Sequence, residues 1–181
     1  AGLDFTIASW IQVGDDPESG EPDAFAGSIA LLGAELDQSG DAPGIISWFV
    51  FEGRPMVHVL FCCGDDGQFL DDEIGFVADG EPHHVALTVD IDFEDVEDLD
   101  ILRIYVDGEL AGEIEDDLQA EGAPVVWPLH VGYSTFDWPS ADFEAESGRD
   151  LNHFNGIIDD FKYWSFALDE DEIVAQFNDN T

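Results

Sequence analysis

Residues 154–173 read FNGIIDDFKYWSFALDEDEI and hold Lys162, the only lysine of the chain, among aromatics and between acids. The run from Gly156 to Trp164 is rich in β-favouring residues and reads as a strand. Beyond it, Asp169 stands where a helix N-cap belongs and Glu172 follows three residues later, ahead of Ile173, Val174 and Phe177. That is the pattern of a capping box opening a short helix. A closing strand and a helix packed back on its sheet account for the stretch, so the lone lysine belongs to architecture before chemistry.

Outward from this stretch, similar β-rich or alternating runs recur: DFTIASWIQV (4–13), GIISWFVFEG (44–53), PMVHVLFCC (55–63), IGFVAD (74–79), HHVALTVDID (83–92), ILRIYVDGELAGEI (101–114) and PLHVGYS (128–134). The pattern is all-β. Its sharpest local signal is Asp107-Gly108, which supplies the two positive φ angles of a type I′ hairpin between alternating flanks. Three insertions, 14–27, 92–100 and 135–153, break the strand series and read as rim loops, where all-β scaffolds usually carry function. No linker or fixed-period repeat divides the chain, so residues 1–181 read as one domain.

Composition sets the surface. The 181 residues are 45% hydrophobic, enough to fill a core, yet 43 Asp and Glu face only Arg54, Arg103, Arg149 and Lys162, for a net charge of −39. Patterned apolar blocks argue against a solvated coil. Self-repulsion at this charge is severe in dilute buffer, whereas at molar salt the Debye length falls to about 3 Å. Near-elimination of lysine therefore points to a halophile. The same charge excludes nucleic acid and anionic membranes as partners. No run is long enough for a transmembrane helix. A start at Ala1-Gly2, with Met56 the only methionine, is expected of a processed product or a piece of something longer. Cys62 and Cys63 are adjacent, and on a strand would point to opposite faces, a poor geometry for mutual pairing.

Five segments in order, Asp4 to Ile11, His83 to Asp90, Leu102 to Leu110, Leu129 to Gly132, and Phe154 to Trp164 with Ala167 to Ile173, closely resemble the laminin G-like, concanavalin A-like jelly-roll family. The resemblance implies a two-sheet antiparallel sandwich with one short C-terminal helix. It makes Ile158, Phe161 and Tyr163 or Trp164 core and turn markers. It also implies a non-catalytic module that binds a glycan or surface protein through rim loops, often with a structural Ca²⁺. Asp159 matches the family's final-strand Asp and is the first candidate ligand, with Asp65 and Asp66 of the CCGDDG turn behind it. With so many acids in the chain, such clusters arise without purpose, and a solvated face is the simpler explanation of them. Family members usually carry a further strand before the equivalent of Asp4 to Ile7. Its absence here implies an open edge completed by preceding polypeptide or by a neighbouring chain.

Sugar recognition needs an aromatic platform with polar groups aimed at hydroxyls, and the 135–153 insertion and its exit offer Phe136, Asp137, Trp138, Asn152 and Asn155. Trp138 precedes a proline in a polar stretch and reads as less core-like than Trp10 or Trp48, although a loop tryptophan also serves to plug the end of a sandwich. Arg149 either clamps the loop to neighbouring acids or meets an acidic sugar. Asp90-Ile91-Asp92-Phe93-Glu94 places three carboxylates on one face of an extended strand, and retaining glycosidases of this broad fold use such a run with the outer pair about 5 to 5.5 Å apart. The family alignment opposes that assignment, because Asp90 falls where the strand ends and those enzymes begin the motif with Glu. The histidines show no zinc-ligand spacing, and no nucleophile triad or phosphate loop is present.

The sequence thus reads as a recognition or adhesion module at a cell or virion surface in brine, from a haloarchaeon or its virus, with a structural decoration, spike or assembly domain as the alternative. Thermal unfolding followed by circular dichroism should show Tm falling and the transition broadening as KCl is lowered from molar to millimolar; an unchanged transition contradicts the halophilic reading.

Overall fold

The computed structural model describes residues 3–33, 45–60, 68–69, 75–91, 99–116, 129–133 and 152–179. Within them lie β1 (Leu3–Val13), β2 (Gly27–Gly33), β3 (Ile45–Phe51), β4 (Arg54–Leu60), β5 (Gln68–Phe69), β6 (Pro82–Ile91), β7 (Asp100–Val106), β8 (Glu109–Asp116), β9 (Leu129–Val131), β10 (Gly156–Trp164) and α1 (Glu170–Asp179). They build two five-stranded antiparallel sheets, ordered β10-β1-β6-β7-β8 and β5-β4-β3-β2-β9. The expected jelly-roll sandwich is what the chain forms.

Alternation places Phe5, Ile7, Ile11 and Val13 of β1, Val85, Leu87, Val89 and Ile91 of β6, and Leu102 and Ile104 of β7 on the inner face of the first sheet. They meet Ile29, Ile46, Trp48, Val50, Val57 and Val59 of the second, and all of these are buried. Burial of such side chains contributes roughly 1.5–3 kcal/mol each. A bulge governs how the last strand joins. Ala8 pairs with Lys162 but Trp10 pairs with Asp159, so Ser9 faces two residues, and Asp160 takes a φ of 48° to absorb the extra one. The bulge lets Ile158 and Phe161, three apart, both pack against the core.

Outside the first sheet, Ala8 and Ala86 leave a shallow bed in which Tyr105, Leu168, Ile173 and Trp164 cluster, and α1 lies there. The capping box forms in both directions: Glu172 N–H donates to Asp169 Oδ1 at 2.9 Å and Asp169 N–H to Glu172 Oε2 at 3.0 Å. Thr6 pins the approach to the helix, its hydroxyl donating to Phe166 O and accepting from Leu168 N–H. The Asp107-Gly108 turn has φ angles of 52° and 81°, as a type I′ hairpin requires.

β1 is paired on both sides, with β10 and with β6; two expectations, on residues 75–78 and on Trp10, are corrected. Among the described residues the edges of this sheet are β10 and β8. Residues 75–78 of IGFVAD are not a strand; they run irregularly, with Val77 and Ala78 in the core and Val77 N–H bonded to Gly53 O. Trp10 is not core, as its place in β1 puts it on the outer face, half-buried against α1.

Thr6→Val should cost about 1–3 kcal/mol in denaturant unfolding, because it leaves buried backbone groups of the 166–168 link without their partner. A loss within about 0.5 kcal/mol would show that the hydroxyl does not anchor the helix.

Candidate functional site

The first sheet's outer face carries an open groove of about 510 Å³, lined by Trp10, Ile11, Gln12, Pro82, Ile157, Asp159 and Asp160. Its position follows from register: Gln12 lies between Pro82 of β6 and Ile157 of β10. Trp10 is held on one side by aromatic contacts with His84 at 5.6 Å and with Phe177 of α1 at 5.9 Å between ring centroids. Ile157 is 59% exposed, an apolar side chain that nothing described covers. Lys162 reaches Asp160 at 2.9 Å, so the wall of the groove already holds one ammonium.

The wall at Pro82 is braced by hydrogen bonds. Gln12 donates its side-chain N–H to Gly80 O at 2.7 Å. His83 Nδ1 lies 2.8 Å from Asp107 Oδ2 and its Nε2 3.0 Å from Asp79 Oδ1, while Asp107 Oδ1 accepts from His84 N–H. The hairpin turn thereby grips the start of β6. Burial pulls the His83 pKa down, but the hydrogen bonds to Asp107 and Asp79 outweigh it and leave it above 6.5. Its neighbour goes the other way: burial first, then the Lys162 charge, lowers His84. Asp79 is lowered, chiefly by the backbone N–H of Glu81 and then by His83. On the second sheet, burial takes His58 down to about 4.

Of the residues proposed from sequence, Asn155 lies at the rim, one residue before β10. Its side-chain N–H groups donate to Asp23 Oδ2 at 2.9 Å and Asp15 O at 3.1 Å, and its backbone bridges Gly14 and Ala26. It ties the 14–26 loop to the entry of β10. Asn152 is half-buried close by in sequence. Asp159 is exposed on β10, accepts from Asp160 N–H at 2.8 Å, and lines the groove. Asp90, the penultimate residue of β6, lies on the outer face, paired with Asp4 and Ile101. Phe136, Asp137, Trp138, Arg149, Asp65, Asp66, Asp92, Glu94, Cys62 and Cys63 lie outside the described residues. Among those described, no three acids, histidines or cysteines gather as a metal would need. Among the described residues no helix is long and apolar enough to cross a membrane.

Trp10, Gln12, Pro82 and Ile157 were not legible as a site. The available signal was an even-numbered tryptophan in a strand whose odd positions, Ser9 apart, are apolar, which assigns it to the outer face.

Residues 1–174 match the family profile described as the concanavalin A-like lectin/glucanases superfamily. No curated protein matches the sequence. Among solved structures the chain is similar to the native heptameric SAP-like pentraxin of Limulus polyphemus, with TM-score 0.60 and 15% identity over 96% of this chain and 69% of that one. It is similar to domains LG4-5 of the mouse laminin alpha1 chain, with TM-score 0.58 and 14% identity over 94% of this chain and 38% of that one. It is also similar to botulinum neurotoxin type C, whose cell entry depends on interaction with two ganglioside molecules, with TM-score 0.53 and 14% identity over 99% of this chain and 36% of that one. The chain thus spans little more than a third of the laminin and toxin chains, and at these identities the likeness is one of fold.

Because the folded pKa of His83 is raised, its stabilising contribution is complete below about pH 6.5 and is lost as pH rises through the folded value. The stability gap between wild type and His83→Gln, measured in denaturant at fixed salt, should therefore be larger at acid than at alkaline pH; a gap constant with pH contradicts the clasp.

Proposed function

The chain belongs to the concanavalin A-like lectin/glucanases superfamily, and from that premise we propose that it is a non-catalytic recognition module, binding a glycan or a surface protein outside the cell or on a virion in high salt. The observation that carries this reading is the groove beside Trp10: a water-open trough with apolar walls and a few polar groups, on a rigid sheet. Open access of this kind suits holding a ligand, whereas chemistry is favoured by sites that exclude water. The ganglioside dependence of the toxin and the laminin likeness support a glycan or a protein as partner.

In sequence, the 135–153 insertion runs directly into β10, which forms one side of the groove. Asn155, which closes the insertion, is two residues from Ile157. Phe136, Asp137, Trp138, Arg149, Asn152 and Asn155 are proposed as further ligand contacts, and Asp159 with Asp65 and Asp66 as the residues that would hold a structural Ca²⁺. The charge of −39 is the support for brine as the setting. The glycosidase reading through Asp90, Asp92 and Glu94 is the weaker one, since Asp90 lies on the outer sheet face beside Asp4, away from the groove.

Glycan and protein arrays read in molar KCl should give binding that Trp10→Ala or Trp138→Ala weakens at least about tenfold, one stacked aromatic's worth. Absence of any binding, or hydrolysis of β-glucans abolished by Glu94→Gln, would sink the reading.

A further inference from the structure

We propose that the groove beside Trp10 takes a hexosamine with a free, protonated amine; this inference rests on the recognition reading above and narrows it. The lining divides into two chemistries. Trp10, Pro82 and Ile157 offer apolar surface, with Ile157 the most exposed of the large apolar side chains described. The polar lining is Asp159, Asp160 and Gln12, and the amide nitrogen of Gln12 is already donated to Gly80 O. A ligand there meets carboxylate acceptors and few donors, so it must bring donors and positive charge.

The protein itself shows that this wall holds an ammonium. Lys162, its only lysine, sits on Asp160 at 2.9 Å. That pairing leaves the neighbouring Asp159, exposed on the same strand, to meet an ammonium from outside. Size separates an amino sugar from a lysine side chain of a protein. Ligand clefts run from roughly 300 to 1,000 Å³, and at about 510 Å³ this one suits a ring or a short run of rings better than a single extended alkyl chain. A pyranose also presents an apolar face to the indole and hydroxyl donors beside its amine, matching both halves of the lining.

The test is titration followed by tryptophan emission and calorimetry, at several salt concentrations up to molar KCl. The probes are glucosamine oligomers, their N-acetylated counterparts, neutral glucose oligomers and hexalysine. Glucosamine oligomers should bind about tenfold or more tightly than the other three, and Asp159→Asn should remove about that factor, the worth of one charge-assisted hydrogen bond. Asn keeps an acceptor for Asp160 N–H, so the variant should fold. Glu18→Gln, in the exposed 14–26 loop, removes one charge elsewhere and should change nothing. Equal losses in both variants would reduce the effect to net charge and overturn the site. Hexalysine binding as well as the amino sugar would overturn the choice of a sugar. Neutral or acetylated glycans binding in a Trp138-dependent, Asp159-independent way would overturn this inference while leaving the recognition reading intact.

Discussion

The pairing of β1 with β10 is the constraint on which the rest depends. It joins residues 3–13 to residues 156–164, and most of the chain lies between them. Closing so long a loop costs entropy that grows only slowly with length. The ladder and the burial of Ile7, Ile11, Ile158 and Phe161 offset it. Once β10 is beside β1, the outer face acquires both of its functional features. One half, around Ala8 and Ala86, becomes the bed for α1, and the other, around Trp10 and Gln12, becomes the groove. The bulge at Asp160 joins the two halves, because it changes register between Lys162, which reaches Gln176 of the helix, and Asp159, which faces the groove.

Charge is arranged around that scaffold economically. Among the described residues, Arg103 and Lys162 form ion pairs with Glu113 and Asp160 on the outer side of the first sheet. His83, when protonated, adds a further cationic contact between Asp79 and Asp107. Asp23, only 4% exposed, accepts hydrogen bonds from the Asn155 amide and the Phe25 N–H. With 43 acids against four basic residues, charge balance falls mainly to counterions, which is why salt acts through the surface and not through the core.

Much of the fold could be read from the chain because local chemistry and global pattern agree. Asp107-Gly108 and the Asp169–Glu172 box are short-range signals, and both form as read. The failures have physical causes. β2, GSIALLG, is buried along its whole length and so lacks the alternation that announces a strand. The tight turn between β3 and β4 uses Glu52-Gly53, both at positive φ, and Glu is an unusual residue there. Val77 and Ala78 are apolar because they fill the core, but residues 75–78 join no ladder. The groove was invisible for a different reason. It is made by the adjacency of three strands distant in sequence, and nothing local to Trp10, Pro82 or Ile157 says that they meet.

Cross-strand NOEs in molar KCl test the arrangement most directly. The account predicts backbone contacts of Ile7 with Tyr163 and of Ile11 with Ile158, two registers offset by one residue across Ser9, together with contacts of Ile11 to His83 on the other side. A single uninterrupted register placing Ile11 opposite Asp159, or a β1 with one side unpaired, would contradict it and remove the groove along with the bed of the helix.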